Sequence, residues 1–319
     1  MKKMMLGAIA ALLPTLASAA NPPAMPGPCN RACLEGFVDR YLDAMLAHKV
    51  SDELFGRDVK FTENGIRLPL GNEGLWFNMS GKGQYRFYIP DVETQQVAFL
   101  GTVRFGGQSA ADGTLAAIAL RLKIVNNRIT EVEQLATRPD NTQQVSGGAA
   151  PATPPRFPPT GEAVDRIGRP HAVFLENIPP GQRATREELI KTANYYFTGL
   201  QRNDGKGYYP FTDDCVRFEN GITTTTQCRK QFEESVKGIV SRIRDRRFVA
   251  VDRERGIVFA FGFFDHDRIN WTWQLGELFK IENGMIRRIE AVFLRAPYGI
   301  NSGWSTYEQG LSEEIQDIR

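Results

Sequence analysis

The sequence predicts an α+β protein of two tandem domains, each with N-terminal helices packed on an antiparallel sheet. Three observations predict it. Glu-Asn-Gly-Ile occurs at 63–66 and again at 219–222, 156 residues apart, each time after a short β-rich run. Other elements keep that spacing within one residue: Lys123 and Lys280, Ile129 and Ile286, Glu133 and Glu290 are each 157 apart. Between the copies, 139–181 holds nine of the 18 prolines. A segment of that composition makes a linker rather than a helix or a central strand.

Each copy begins with a helix. Leu34, Phe37, Val38, Tyr41, Leu42, Met45 and Leu46 recur at three- and four-residue steps, as do Leu189, Thr192, Ala193, Tyr196, Phe197 and Leu200. That period puts them on one apolar stripe. Thr185 and Glu188 have the spacing of a capping box at the start of the second helix. Each helix leads to a strand that ends at Glu63 or Glu219. The later β-rich runs close with hairpins, and Asn126-Asn127 and Asn283-Gly284 suit their tight turns. One feature breaks the alignment: Val59 and Phe61 alternate in one phase and Val216 and Phe218 in the other. A one-residue slip flips every side chain, so either a bulge in one copy or differently aimed glutamates is expected.

The expected boundaries are a signal peptide at 1–19, domains at 29–138 and 185–298, a linker at 139–184 and a tail at 299–319. Lys2 and Lys3, the apolar run Met4–Leu13 and the small residues Ala17, Ser18 and Ala19 have the layout of a cleaved export signal. A periplasmic or secreted protein without a membrane span follows. Removing that segment takes two of the 39 basic residues and none of the 37 acidic ones. A chain near neutrality has no global attraction to nucleic acid. Cys29, Cys33, Cys215 and Cys228 form an even set, which in an exported protein favours disulfides over metal ligation. Local Cys29–Cys33 and Cys215–Cys228 pairs are expected, with no metal site and no cofactor. "HAVFLENI" (171–178) is apolar enough to strap onto a domain, and the arginines of "SRIRDRRF" (241–248) are expected to be exposed beside a strand.

The helix, the strand in "RDVKFTENG" or "DDCVRFENG", and the long strands that follow resemble the nuclear transport factor 2-like superfamily. That superfamily includes ketosteroid isomerase, scytalone dehydratase and SnoaL-like polyketide cyclases. The paired arrangement, with "CNRACLEGFVDRYL" and "DDCVRFENG", is also similar to an exported domain family of no assigned function. The resemblance implies a cone-shaped unit, a curved sheet wrapped around helices with an apolar pocket at its open end. It also implies that the two copies associate through their sheets as an intramolecular pseudo-dimer. In the family's terms Glu63 and Glu219 occupy the general-base position. Tyr41, and Tyr195 or Tyr196, occupy that of an oxyanion-stabilising hydroxyl. Glu277 matches a protonated acid on a later strand, where the first copy has only apolar residues around Leu120.

The expected function is therefore a cofactor-independent lyase or isomerase, abstracting a proton next to a carbonyl on a small apolar or aromatic compound. The alternative is a non-catalytic protein of the same fold that binds a hydrophobic ligand or a partner. His266, between Asp265 and Asp267, is a further candidate for proton movement, although a solvated turn is the commoner role for such a triplet. Trp271 and Trp273 share a face of one strand and could line an aromatic-accepting pocket, together with Asn64 and Asn220 of the two turns.

Overall fold

A computed structural model describes residues 27–107, 112–139, 160–236, 238 and 240–317. The expected signal peptide and most of the proline-rich linker lie outside the described residues. The first domain runs α1 (Arg31–Leu46), β1 (Phe55–Glu63), β2 (Ile66–Arg67), α2 (Leu75–Asn78), β3 (Met79–Asp91), β4 (Gln96–Phe105), β5 (Thr114–Val125) and β6 (Arg128–Thr137). Two short helices of the linker follow, α3 (Thr160–Ile167) and α4 (Ala172–Leu175). The second domain runs α5 (Arg186–Gln201), β7 (Phe211–Glu219), β8 (Ile222–Thr225), α6 (Cys228–Glu234), β9 (Arg242–Asp252), β10 (Ile257–His266), β11 (Trp271–Glu282) and β12 (Met285–Pro297). The tail carries α7 (Tyr307–Leu311).

Local chemistry places these elements where the periodicity puts them. Asn30 caps α1 by accepting from the Cys33 amide, and the Thr185–Glu188 capping box closes the start of α5 in both directions. Each Asn-Gly pair after β1 and β7 has positive φ at both residues: 52° and 79° at Asn64-Gly65, 51° and 79° at Asn220-Gly221. These dihedrals make the two-residue hairpin turn whose twist matches its flanking strands. Glycine is also needed sterically. A Cβ at Gly65 would strike the Asn301 carbonyl, and one at Gly221 would strike the α3 backbone at Ala163. The segment that follows each domain therefore crosses to lie on the Glu-Asn-Gly turn of the other.

Two six-stranded sheets form with the same strand order, β2-β1-β6-β5-β4-β3 and β8-β7-β12-β11-β10-β9. They are mixed rather than antiparallel, which corrects the expectation. β1 pairs parallel with β6, and β7 parallel with β12. The first strand of each domain leaves its helix and adds to the edge beside the last strand, running in the same direction, instead of folding back as a hairpin.

One face of each sheet holds its helix. Leu34, Phe37, Tyr41 and Met45 of α1 are buried against Phe61, Phe99, Leu120 and Val132. Leu189, Tyr196 and Phe197 of α5 are buried against Val258, Phe279 and Ile289. The opposite faces pack against each other, where Tyr85, Phe87, Ile89 and Leu100 meet Val249, Phe259, Phe261 and Leu278. Phe174 of α4 completes this third core, its ring 5.1 Å from that of Phe87, so the expected strap is present.

The strand-phase conflict resolves without a difference between the copies. Both first strands carry the same irregularity, between Phe55 and Lys60 against β6 and between Phe211 and Val216 against β12. Glu63 then pairs with Gln134, and Glu219 with Ala291. Phe61 and Arg217 occupy equivalent inward positions. The hydrophobic pattern shifts phase because an arginine takes the place of a core phenylalanine.

Three of the four arginines of 241–248 are buried rather than exposed, and only Arg242 is partly open to solvent. Arg244 is 0% exposed, Arg247 1% and Arg246 4%. Each has a partner that offsets its desolvation: Arg244 pairs with Asp265 at 2.8 Å, and Arg247 reaches Glu133 of the other sheet at 2.7 Å. Arg246 donates to Asn194, Thr198 and Gln201 of α5. Asp265 likewise is no solvated turn residue, since Arg242, Arg244 and Thr272 all donate to it.

Candidate functional site

The inward face of the second sheet brings together most of the residues singled out above. β11 alternates Trp271, Trp273, Leu275, Glu277 and Phe279. Leu275 and Phe279 belong to the helix-covered core and Trp273 packs against it, which fixes the direction of Glu277. Opposite them on β10, Phe264 and His266 pair with Trp273 and Trp271. The His266 ring lies 4.3 Å from that of Trp273, which in turn lies 5.1 Å from Phe293. Arg295 stacks over Trp271 at 3.8 Å. These rings form one end of the concave face. At the other end Tyr196, Phe211, Phe232 and Phe279 pack in tilted and edge-to-face pairs, with Tyr196 5.1 Å from Phe279 and 5.2 Å from Phe232.

A charged cluster lies between the two aromatic groups. The Arg217 guanidinium donates from Nη2 to Glu219 Oε2 at 3.1 Å and from Nη1 to the Tyr196 hydroxyl at 3.3 Å. Its Nε donates to Thr224 at 3.1 Å. Burial works against the Arg217 charge, but Tyr196, Glu219 and Glu277 hold its pKa above the ordinary value. Glu277 is 1% exposed, and its Oε2 makes no hydrogen bond. Burial first, then the charge of Glu219, pushes the Glu277 carboxyl up to about 8, against the opposing pull of Arg217 and the Tyr196 hydroxyl. Near neutral pH Glu277 is therefore mostly protonated. Burial likewise drives the Tyr196 phenol well above its usual range, so it stays neutral.

The first domain uses the equivalent positions differently. Glu63 is 4% exposed and accepts hydrogen bonds from the Leu75 amide and Gln134 Nε2, both at 2.9 Å, and from Arg138. The Tyr41 hydroxyl accepts from Trp76 Nε1 at 3.1 Å and donates to Gln134 Oε1 at 3.0 Å. Tyr41, Gln134 and Glu63 thus form a closed chain of satisfied groups capped by α2. Leu120 stands where the second domain has Glu277, and Phe61 where it has Arg217.

Other candidates lie apart from the cluster. Tyr195 is on the outer side of α5, its ring 5.0 Å from Tyr208. The Asn64 and Asn220 side chains turn to the sheet: each both donates to and accepts from the last strand, at Ala136 and Phe293 respectively. Both expected disulfides are formed, Cys29–Cys33 and Cys215–Cys228. No helix among the described residues is long and apolar enough to cross a membrane.

Arg217 is the residue that sequence reasoning missed. Its signal was present in the phase conflict, since Cys215, Arg217 and Glu219 alternate on the face that α5 covers.

A family model described as a domain of unknown function, DUF8021, matches residues 182–293, which span the second domain from just before α5 into β12. The comparison with curated proteins returns no match. Among solved structures, a de novo designed protein with a curved β-sheet is similar over 34% of this chain and 87% of its own length. That similarity has 21% identity and a TM-score of 0.27.

Proposed function

We propose that the second domain is a cofactor-independent proton-transfer site, a lyase or isomerase acting next to a carbonyl of a small apolar or aromatic compound. The observation that carries this reading is the pairing of two carboxyls in different surroundings. Glu219 is ion-paired to Arg217, while Glu277 is buried beside it with its pKa raised to about 8. An arginine-paired carboxyl beside one that burial keeps protonated can divide base and acid roles at one pH. Glu219 takes the carbon-bound proton. The oxygen that gains charge receives hydrogen bonds from neutral Glu277 and from Arg217, the kind of donors that stabilise an enolate in a water-poor site. Tyr196 accepts from Arg217, which leaves its own proton free to support Glu277. The aromatic walls formed by Trp273, Phe293 and Phe279 suit a flat apolar substrate.

The resemblance to nuclear transport factor 2-like enzymes supports the same assignment, with a cone enclosing an acid, a tyrosine and a protonated carboxyl. On this reading the first domain is a non-catalytic partner, because its carboxylate is held by three neighbours, the Leu75 amide, Gln134 and Arg138. An exported location fits the two disulfides.

The test is deuterium uptake from heavy water into a panel of cyclic enones and aryl ketones, followed by NMR. Uptake with the wild-type chain, reduced roughly 10²–10⁴-fold in Glu219→Gln, is expected for loss of a general base. Undiminished uptake by Glu219→Gln overturns the mechanism. A panel that binds without exchanging would favour the simple ligand-binding alternative.

A further inference from the structure

The two outward sheet faces carry equivalent rows that differ in what covers them. In the first domain the row across β1, β6 and β5 is Thr62, Glu133 and Arg121. In the second, the row across β7, β12 and β11 is Phe218, Glu290 and Leu278. Over the first row lies Trp304, from the segment after the second domain. Its indole donates to Thr62 Oγ1 at 2.8 Å, and its ring faces Arg121 at 4.4 Å and Lys60 at 4.1 Å. Glu133 beneath it is paired with Arg121 and Arg247.

Over the second row runs the corresponding segment after the first domain, α3 to α4, whose described phenylalanine, Phe174, lies 5.9 Å from Arg288 on the side of the inter-sheet core. A cavity of about 560 Å³ stands there, lined by Ile167, Arg169, Ala172, Phe218, Arg288 and Glu290 among others. Two groups facing it have unused capacity. Glu290 is fully buried, and its Oε1 makes no hydrogen bond, because Leu278 replaces the arginine that serves Glu133. The Tyr85 hydroxyl lies near this carboxyl but out of hydrogen-bonding geometry. Arg288 stacks over the Phe218 ring at 4.6 Å, and its Nε also lacks a partner. A buried polar atom without a partner costs free energy that a suitable guest can recover.

We infer that this cavity between the linker helices and the second sheet binds a small flat aromatic carboxylic acid, which takes the place that Trp304 fills on the first domain. The aromatic ring stacks on the Phe218–Arg288 pair between Ile167 and Ala172. The ligand carboxylate accepts from Arg288, with Arg169 near the rim adding positive charge. Burial raises the Glu290 carboxyl to about 7, so below that pH it supplies a proton to a ligand oxygen rather than repelling it. The site is independent of the proton-transfer reading, since Phe218 and Glu219 point to opposite faces of β7.

The experiment is calorimetric titration of the full mature chain with indole-3-carboxylate, with indole and tryptamine as neutral and cationic counterparts, at pH 6. Saturable one-to-one binding of the carboxylate is expected, weakened roughly tenfold or more by Arg288→Met, as for loss of a charge-assisted hydrogen bond. Ala172→Trp, at an exposed linker position, should block it by plugging the cavity, and Glu219→Gln should leave it intact. Thermal unfolding of each variant confirms that it is folded. Absence of saturable binding at millimolar probe overturns the inference. So does preference for tryptamine, or binding lost in Glu219→Gln but kept in Arg288→Met.

Discussion

Arg217 donates to the Tyr196 hydroxyl across 3.3 Å, joining the first strand of the second domain to the helix in its concavity through a fully buried polar contact. The matching pair in the first domain, Phe61 and Tyr41, has no such bond, and Tyr41 turns to Gln134 instead. One substitution of a core position thus separates a satisfied structural network from a charged cluster. Arg217→Met should remove the counterion of Glu219 and leave two carboxyls sharing an apolar site. A loss of about 1–3 kcal/mol is expected from the unpaired buried groups, read by urea denaturation. Titration of the pair, followed by carbon NMR of labelled glutamate, should move to higher pH, because Arg217 now pulls the Glu277 value down.

The pH dependence of stability has a definite sign. The Glu277 and Glu290 carboxyls are raised to about 8 and about 7 in the folded chain, above the ordinary 4.5. Between 4.5 and those values the folded state binds more protons than the unfolded one, so stability falls as pH rises. Their destabilising effect is absent below 4.5 and complete above 8. Glu277→Gln and Glu290→Gln should each flatten the decline, measured as the urea midpoint from pH 5 to 9. An unchanged slope in both variants would remove these carboxyls as its cause.

Glu133 holds the two sheets together through charge. It pairs with Arg121 of its own sheet at 3.4 Å and with Arg247 of the other at 2.7 Å. Glu133→Ala removes one of two carboxylates from each guanidinium, since Arg121 keeps Glu131 and Arg247 keeps Asp245, and a loss of about 1–3 kcal/mol is expected. Differential scanning calorimetry should then show the single transition broadening or splitting as the sheet-to-sheet contact weakens.

The Cys215–Cys228 bridge joins β7 to α6 across the Glu219 turn, closing a loop with a sequence separation of 13. Its removal in Cys215→Ala/Cys228→Ala should cost about 3 kcal/mol by the loop-closure relation. Because Phe232 of α6 packs on Tyr196, the loss should also loosen the cluster, seen as faster hydrogen exchange in α6 than in α1.

Much of this was legible because it depends on local rules. The Thr185–Glu188 box, the Asn-Gly turns and the two amphipathic helices follow from neighbouring residues and their dihedral or capping preferences. Glu277 was legible as a candidate only through the resemblance to nuclear transport factor 2-like proteins, since the first copy has Leu120 at the matching place. Arg217 was not, because alternation assigns apolar residues to the core and has no means of recognising an arginine buried with partners from other elements.

The sequence by itself determined two repeated α+β units, their helices and turns, both local disulfides and the strand that carries Glu277. Tertiary structure alone decided that first and last strands pair in parallel, since that depends on which edge is open when the chain returns. It also decided that Arg244, Arg246 and Arg247 go inside, because Asp265, Glu133 and α5 lie far away in the chain. The same holds for Trp304, laid on the first domain, and for the α3–α4 segment, which packs on β3–β5 and reaches the Gly221 turn of the second domain. Only the packing of distant segments leaves one equivalent face filled by an indole and the other, among the described residues, lined around a cavity.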